Sequence, residues 1–255
     1  MPILTTTGEA SIENIRLFLH GIEKVGKSWL ANGWPNALFL ATEQRHQHLI
    51  GAHILSPKEQ PILKNWEEVL WATEELKRSS YKAKYKTIIV DTIDNTYPFC
   101  THAICKKRGW DHQLDAGYGK GTDMVDAEYR KWFLNLITLP YGFIFISHTK
   151  SIVVEGIDYK RTKFVSGLAD RAKKIVLPPM SVVAHMYMGQ WLTKGEDGKL
   201  KSNERRIINF KGGDIIEAGD GEGYLPDKLP VLKDSKKMYE VLKGYYSKKR
   251  NGENK

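Results

Sequence analysis

The chain has 255 residues, 41% of them hydrophobic and 27% charged. That composition belongs to a folded protein whose core needs no disulfide or metal staple, and it excludes a disordered chain, a fibrous repeat or a mini-protein. Lys and Arg number 39 against 30 Asp and Glu, a formal charge of +9, which suits a polyanionic partner.

Several simple readings follow. Cys100 and Cys105, with no second pair, make neither a zinc knuckle nor a disulfide framework and fit a reducing compartment. No apolar run approaches the ~20 residues of a membrane span. The opening MPILTTTGEAS lacks the basic head and apolar stretch of a secretory signal. A cytoplasmic protein is expected. Residues 233–255 carry eight Lys or Arg against three acids, a tail that either touches nucleic acid or is simply solvated.

In chain order, Ile15–His20 (IRLFLH) reads as a buried parallel strand. Gly21–Ser28 is a turn, and Trp29–Ala31 opens a short helix. Ala37–Ala41 is a second apolar strand. Residues 65–78 place Trp66, Val69, Leu70, Thr73 and Leu76 at helical spacing. Thr87–Val90 is a third strand, ending at Asp91. Ile93–Arg108 reads as a helix with Pro98 near its start. Residues 109–123, with four glycines, read as a loop. Met124–Thr138 is an amphipathic helix, and Gly142–Ser147 a fourth buried strand. Residues 151–170 read as a mobile polar loop. Val182–Met188 and Arg206–Phe210 read as strands joined around the turn signal GEDGK, and residues 235–246 as a last helix. Strands separated by helices predict an α/β fold, a mainly parallel sheet with helices on both faces, with antiparallel strands added late in the chain. The expected division is a core over 1–232, β-rich from about 180, and a basic C-terminal helix and tail over 233–255.

The strongest chemical signal is Gly21-Ile22-Glu23-Lys24-Val25-Gly26-Lys27-Ser28, a full match to G-x-x-x-x-G-K-[ST] between a strand and a helix. Glycines admit backbone close to phosphates, successive N–H groups surround them at a helix start, Lys27 reaches the β- and γ-phosphates, and Ser28 ligates Mg²⁺. The binding set is thus Gly21–Ser28 with Trp29 following. Asp91, at a strand end, is the expected second metal arm, with Asp94 as the fallback. Thr92, not an acid, follows Asp91, so the group that positions the attacking water is sought elsewhere. Glu43, after the second strand, is read as that catalytic carboxylate, at the tip of the strand beside the phosphate-loop strand. It competes with a surface Glu starting a helix. His148, at the tip of the fourth strand, is the expected γ-phosphate sensor. His46, His48 and His53 have no accompanying ligand set and read as surface or packing residues.

This order of phosphate loop, Glu, Asp and polar sensor resembles the RecA-like ATPase core. More narrowly, it is similar to the short phage-encoded RecA-like ATPases that act as single-strand annealing recombinases. The resemblance covers about residues 13–232 and is carried by Gly117–Gly121 (GYGKG), Leu139–Lys150 (LPYGFIFISHTK) and Glu217–Pro230 (EAGDGEGYLPDKLP). It implies ATP and Mg²⁺ as cofactors, and single-stranded DNA as partner. It also implies self-association into a ring or filament and a possible single-strand-binding protein contact. His148 stands where RecA has a glutamine switch, and Gly221 where a basic residue is expected. Both are departures. The loops at 109–123 and 151–170 would face DNA, through Lys120 with Trp110 and Tyr118, and through Lys150, Lys160, Arg161 and Lys163; ordinary exposed charges are the alternative. Arg205, Arg206 and Lys211 are the residues a subunit could set against a neighbour's nucleotide.

The resulting expectation is an ATP-dependent protein that binds and anneals single-stranded DNA in phage recombination. The alternatives are a helicase, a helicase loader or a packaging ATPase, and a protein-binding module switched by ATP. A small-molecule kinase is disfavoured because no arginine-rich lid follows the core.

Overall fold

A computed structural model describes residues 11–250 apart from 45–48, 58, 118, 157–158 and 195–198. Tyr118, His46, His48, the GEDG of the predicted turn and the end of the basic tail therefore lie outside the described residues. The apolar runs are strands: β1 (Arg16–Gly21), β2 (Ala37–Ala41), β3 (His53–Ile54), β4 (Thr87–Asp91) and the first half of β5 (Gly142–Glu155). With β7 (Val182–Lys194) they form a parallel run in the order β7-β1-β5-β4-β2-β3. β8 (Leu200–Asn209) and β10 (Lys228–Pro230) extend this edge antiparallel, and β9 (Gly219–Asp220) pairs antiparallel with β7. The chain is thus a mixed α/β domain built on a largely parallel sheet, as the alternation of elements predicts.

Both faces are covered, and strand alternation decides which side chain goes where. Phe18, Ile88, Val90, Phe143 and Phe145 point to one side. There they meet α2 (Trp66–Glu75), α4 (Thr96–Arg108), α5 (Lys120–Ile137) and α6 (Asp170–Val176). Leu17, Leu19, Phe39, Ile89, Ile144 and Ile146 point to the other. There they meet α1 (Lys27–Ala31) and α7 (Ser235–Arg250), whose Met238, Tyr239 and Leu242 are buried. α7 is therefore part of the second core layer. α3 (Ser79–Lys84) has no buried residue.

Local signals account for most boundaries. Asn65 caps α2 by accepting from Glu68 N at 2.9 Å, while Glu68 accepts from Lys64 N at 2.7 Å. Pro98 is the third residue of α4, where a missing N–H costs no helical bond. Two predicted loops differ. Gln113–Ala116 is a turn of 3-10 helix and α5 begins at Lys120, so Lys120 is a helical residue. The expected loop at 151–170 is mostly a hairpin: β5 runs on to Glu155 and pairs antiparallel with β6 (Lys160–Ser166), and α6 then starts at Asp170. Its alternation of polar and apolar residues serves a two-stranded ribbon exposed on much of both faces, which a search for buried strands passes over.

Candidate active site

All parallel strands of the run end on the same edge, and the expected site residues come from those ends. β1 leads into the phosphate loop, and Gly26, at φ +100°, ends it as the N-cap of α1. Lys24 is also left-handed, at φ +60°. The Lys27 ammonium is folded back on the loop, donating to the carbonyls of Gly21 at 2.7 Å and Ile22 at 2.9 Å. Burial holds its pKa below the usual lysine value, with Asp91, Asp94 and Glu43 acting the other way. A phosphate that replaced those carbonyls would favour the charged form of the amine.

Ser28 Oγ donates to Asp91 Oδ2 at 2.5 Å. Asp91 lies on β4, and β5 stands between β4 and β1. The sheet order therefore sets β5, with His148 opposite Gly21 of β1, between the strand that leads into the phosphate loop and the strand that carries the acid. Asp94, the fallback arm, has its carboxylate engaged elsewhere: it accepts from Ser147 Oγ at 2.6 Å and from His148 N at 2.7 Å, and so fixes β5 where it leaves the parallel sheet. Burial raises its pKa, against those two hydrogen bonds.

Glu43 requires a correction of place. β2 is not beside the phosphate-loop strand: β4 and β5 intervene. Glu43 still enters the cleft, because the tips of β2 and β4 are tied together. Thr42 N donates to Asp91 O at 2.8 Å, Thr42 Oγ1 to Thr92 O at 2.7 Å, and Asn95 Nδ2 to Thr42 O at 3.3 Å. The Asp91–Thr92 peptide is cis. Glu43 Oε1 then accepts from Thr92 Oγ1 at 3.1 Å and lies 3.1 Å from His148 Nε2. That carboxylate raises the His148 pKa more than burial lowers it. Nδ1 of the same ring is buried without a hydrogen-bond partner. Sequence reasoning missed the work of Thr92, Asn95 and Asp94. The first was noted only because it was not an acid, and the signal for the others is a polar run directly after a buried strand.

Lys27, Ser28, Glu43, Asp91, Thr92 and His148 line a cleft of about 550 Å³ together with Lys24, Gly26, Trp29, Gln44 and Leu49. Trp29 and Leu49 supply the apolar part of that lining. Behind the loop, His20 is fully buried between Thr149 Oγ1 at 2.9 Å and Glu217 O at 2.6 Å, and its ring centre lies 4.8 Å from that of His185, tilted by 33°. Burial lowers both pKa values to about 4, so both rings are neutral at pH 7.

The other predicted residues fall into three places. On the β5–β6 hairpin, register puts Lys150, Arg161 and Lys163 on one face and Lys160 on the other. Lys150 is 3.4 Å from Asp170, Lys160 2.6 Å from Glu155 and Arg161 2.7 Å from Asp214. Lys120 opens α5, whose Asp123 and Asp126 meet Arg171 of α6 just past the hairpin. At the β8 edge, Lys211 pairs with Asp227 at 2.8 Å, while Arg205 and Arg206 stand on opposite faces of their strand. No helix among the described residues is long and apolar enough to cross a membrane.

A family model described as AAA domain matches residues 13–220 of the chain. No curated protein matches it.

Proposed function

The chain belongs to the AAA domain family, and from that premise we propose that it hydrolyses ATP and uses the cycle to bind, anneal and release single-stranded DNA, as a phage recombination protein would. The observation that carries the ATPase reading is the convergence of Lys27, Ser28, Asp91, Glu43 and His148 on one cleft from four separate segments of chain. The resemblance of Gly117–Gly121, Leu139–Lys150 and Glu217–Pro230 to annealing recombinases, with the cationic face of the β5–β6 hairpin, supports the DNA reading.

In this mechanism the N–H groups of Gly21–Ser28 hold the phosphates of ATP, and Lys27 exchanges two backbone carbonyls for phosphate oxygens. Ser28 Oγ and Asp91 Oδ2, a neutral and an anionic oxygen 2.5 Å apart, are the hard donors that suit Mg²⁺ and would hold it. Bound magnesium neutralises charge on the phosphate oxygens. Glu43 Oε1 orients the attacking water and accepts its proton, as a general base held between Thr92 and His148. His148 Nε2 donates either to Glu43 or to the terminal phosphate. The ring therefore senses which is present, and Asp94 keeps its backbone in place through either state. Gly167 N donates to His148 O at 2.7 Å, which joins this sensor to the exit of the hairpin.

The test is the ATPase rate with and without single-stranded DNA across a salt series, alongside Lys27→Ala. The expected result is stimulation by DNA that fades at high salt and is absent in the variant. A rate indifferent to DNA at every salt overturns the DNA reading and favours a switch for a protein partner. A Lys27→Ala enzyme as fast as the unaltered chain overturns the phosphate loop itself.

A further inference from the structure

Arg206 was read from the sequence as a residue for a neighbouring subunit's nucleotide, but it lies against its own phosphate loop. The register explains how. Met186 of β7 stands beside Gly21 of β1 and opposite Ile208 of β8, and two residues further out Met188 stands opposite Arg206. Met186 and Ile208 are buried on the α1 and α7 side of the sheet. Side chains two apart share a face, so Arg206 projects toward α1, while Arg205, opposite Gly189, projects away.

The contact is specific. A Cβ at Gly26 would lie 3.1 Å from Arg206 Nη1 and 3.3 Å from Cζ, and the guanidinium sits 5.9 Å from the centre of the Trp29 ring. An aromatic ring is a suitable platform for a planar cation. Arg206 is exposed, and its charge is therefore available to an anionic ligand.

Gly26 and Trp29 both line the cleft. Ser28, Asp91, Glu43 and His148 mark the hydrolytic end, where the terminal phosphate belongs. Trp29 and Leu49 are the large apolar residues of that lining and suit a nucleoside, so a cation over Gly26 and Trp29 is matched to the phosphate nearest the sugar. We propose that Arg206 binds, in cis, the nucleoside-proximal phosphate of the nucleotide held by its own Gly21–Ser28 loop. This rests on the reading of that loop as a nucleotide site.

Two consequences separate this role from the alternatives. A group on the nucleoside-proximal phosphate serves ATP and ADP alike, whereas one on the terminal phosphate serves ATP alone. A residue acting in cis cannot be supplied by another chain. The experiment measures ATP and ADP affinity by calorimetry for the unaltered chain, Arg206→Gln and Arg206→Lys. It then measures hydrolysis in an equimolar mixture of Arg206→Gln with Lys27→Ala. The expected result is a loss of roughly tenfold for both nucleotides in Arg206→Gln, the equivalent of about 1.4 kcal/mol. Part of the affinity should return in Arg206→Lys, and mixing should give no rescue. Unchanged affinities, a loss confined to ATP, or hydrolysis restored by mixing would each overturn the inference and leave the phosphate loop intact. An unaltered chain that binds neither nucleotide removes the loop reading, and this one with it.

Discussion

Gly21 is a glycine for want of space, and Gly21→Ala tests that. Its backbone is not left-handed, so torsion does not demand glycine there. A Cβ built at Gly21 would lie 2.3 Å from the Met186 carbonyl oxygen of β7 and 3.2 Å from Val25 Cγ1. Ordinary contact begins at 3.4 Å, so 3.4 less 2.3, about 1.1 Å, must be found. The near atom is backbone in the strand hydrogen-bonded to β1 and cannot rotate aside. The phosphate loop must lift off β7, which strains the β1–β7 ladder at its last pair. Overpacking of this kind costs ~1–3 kcal/mol, or a fall in melting temperature of roughly 2–12 °C at ~2–4 °C per kcal/mol. The same shift moves Gly21 O, which holds the Lys27 ammonium. A misplacement of ~1 Å in a reacting constellation costs on the order of 100-fold in turnover. Thermal unfolding and steady-state ATPase rates measure the two effects. Gly213→Ala is the control: a Cβ there meets nothing within 4 Å, so stability should move by less than ~0.5 kcal/mol. A Gly21→Ala protein that melts and turns over like the Gly213→Ala control refutes the argument from close approach.

Three further outcomes are expected. Glu43 is the largest cause of the raised His148 pKa, so Glu43→Gln should lower it, as an NMR titration of the His148 ring would read directly. In the unaltered chain the pair stabilises the fold fully below the unfolded-state pKa of 6.5 and loses its effect as pH rises through the higher folded value; a ring that titrates identically in both proteins contradicts this. Replacing Lys150, Arg161 and Lys163 together by Ala should weaken single-stranded DNA binding and flatten its log–log salt dependence by about 2, at ~0.7 per phosphate contact, while the same measurement on Lys160→Ala, on the other hairpin face, should change little; equal effects would deny a one-sided contact. Leu242 of α7 is 2% exposed and its neighbour Val241 39%, so Leu242→Ala should cost ~2–5 kcal/mol in urea unfolding and Val241→Ala under ~0.5, an ordering that fails if α7 is a detachable tail.

The sheet was legible wherever burial on both faces wrote a continuous apolar run. IRLFLH, ALFLA, TIIV and GFIFIS each became a strand within a residue of its predicted start, because a strand between two helical layers must be apolar at every position. Legibility failed where a strand left those layers. β5 past Ser147, β6 and the outer halves of β7 and β8 are exposed over most of their length. Their pairing rests on backbone hydrogen bonds and register, which leave no hydrophobic run to read.

The site divides along a different line. Residues fixed by contiguous chemistry, from Gly21 to Ser28, were legible from spacing alone. So was the arrival of Asp91 at a strand tip; His148 reaches the same edge in the middle of β5, where that strand leaves the parallel run and continues to Glu155. The order of strands along that edge was not legible, and it decides what meets what. With β5 between β1 and β4, His148 comes to stand beside Gly21, and Glu43 arrives from two strands beyond β5. That distance is closed by Thr42, Thr92 and Asn95, polar residues whose types gave no sign of the task until β2 and β4 were seen side by side. The edge strands hold the same lesson for Arg205 and Arg206. Adjacent in sequence and alike in charge, they are separated by the pleat, which sends Arg206 to the phosphate loop and Arg205 to the far side. A single-residue slip in the β7–β8 register would exchange their places, so the cis contact of Arg206 depends on that register as directly as on its own charge.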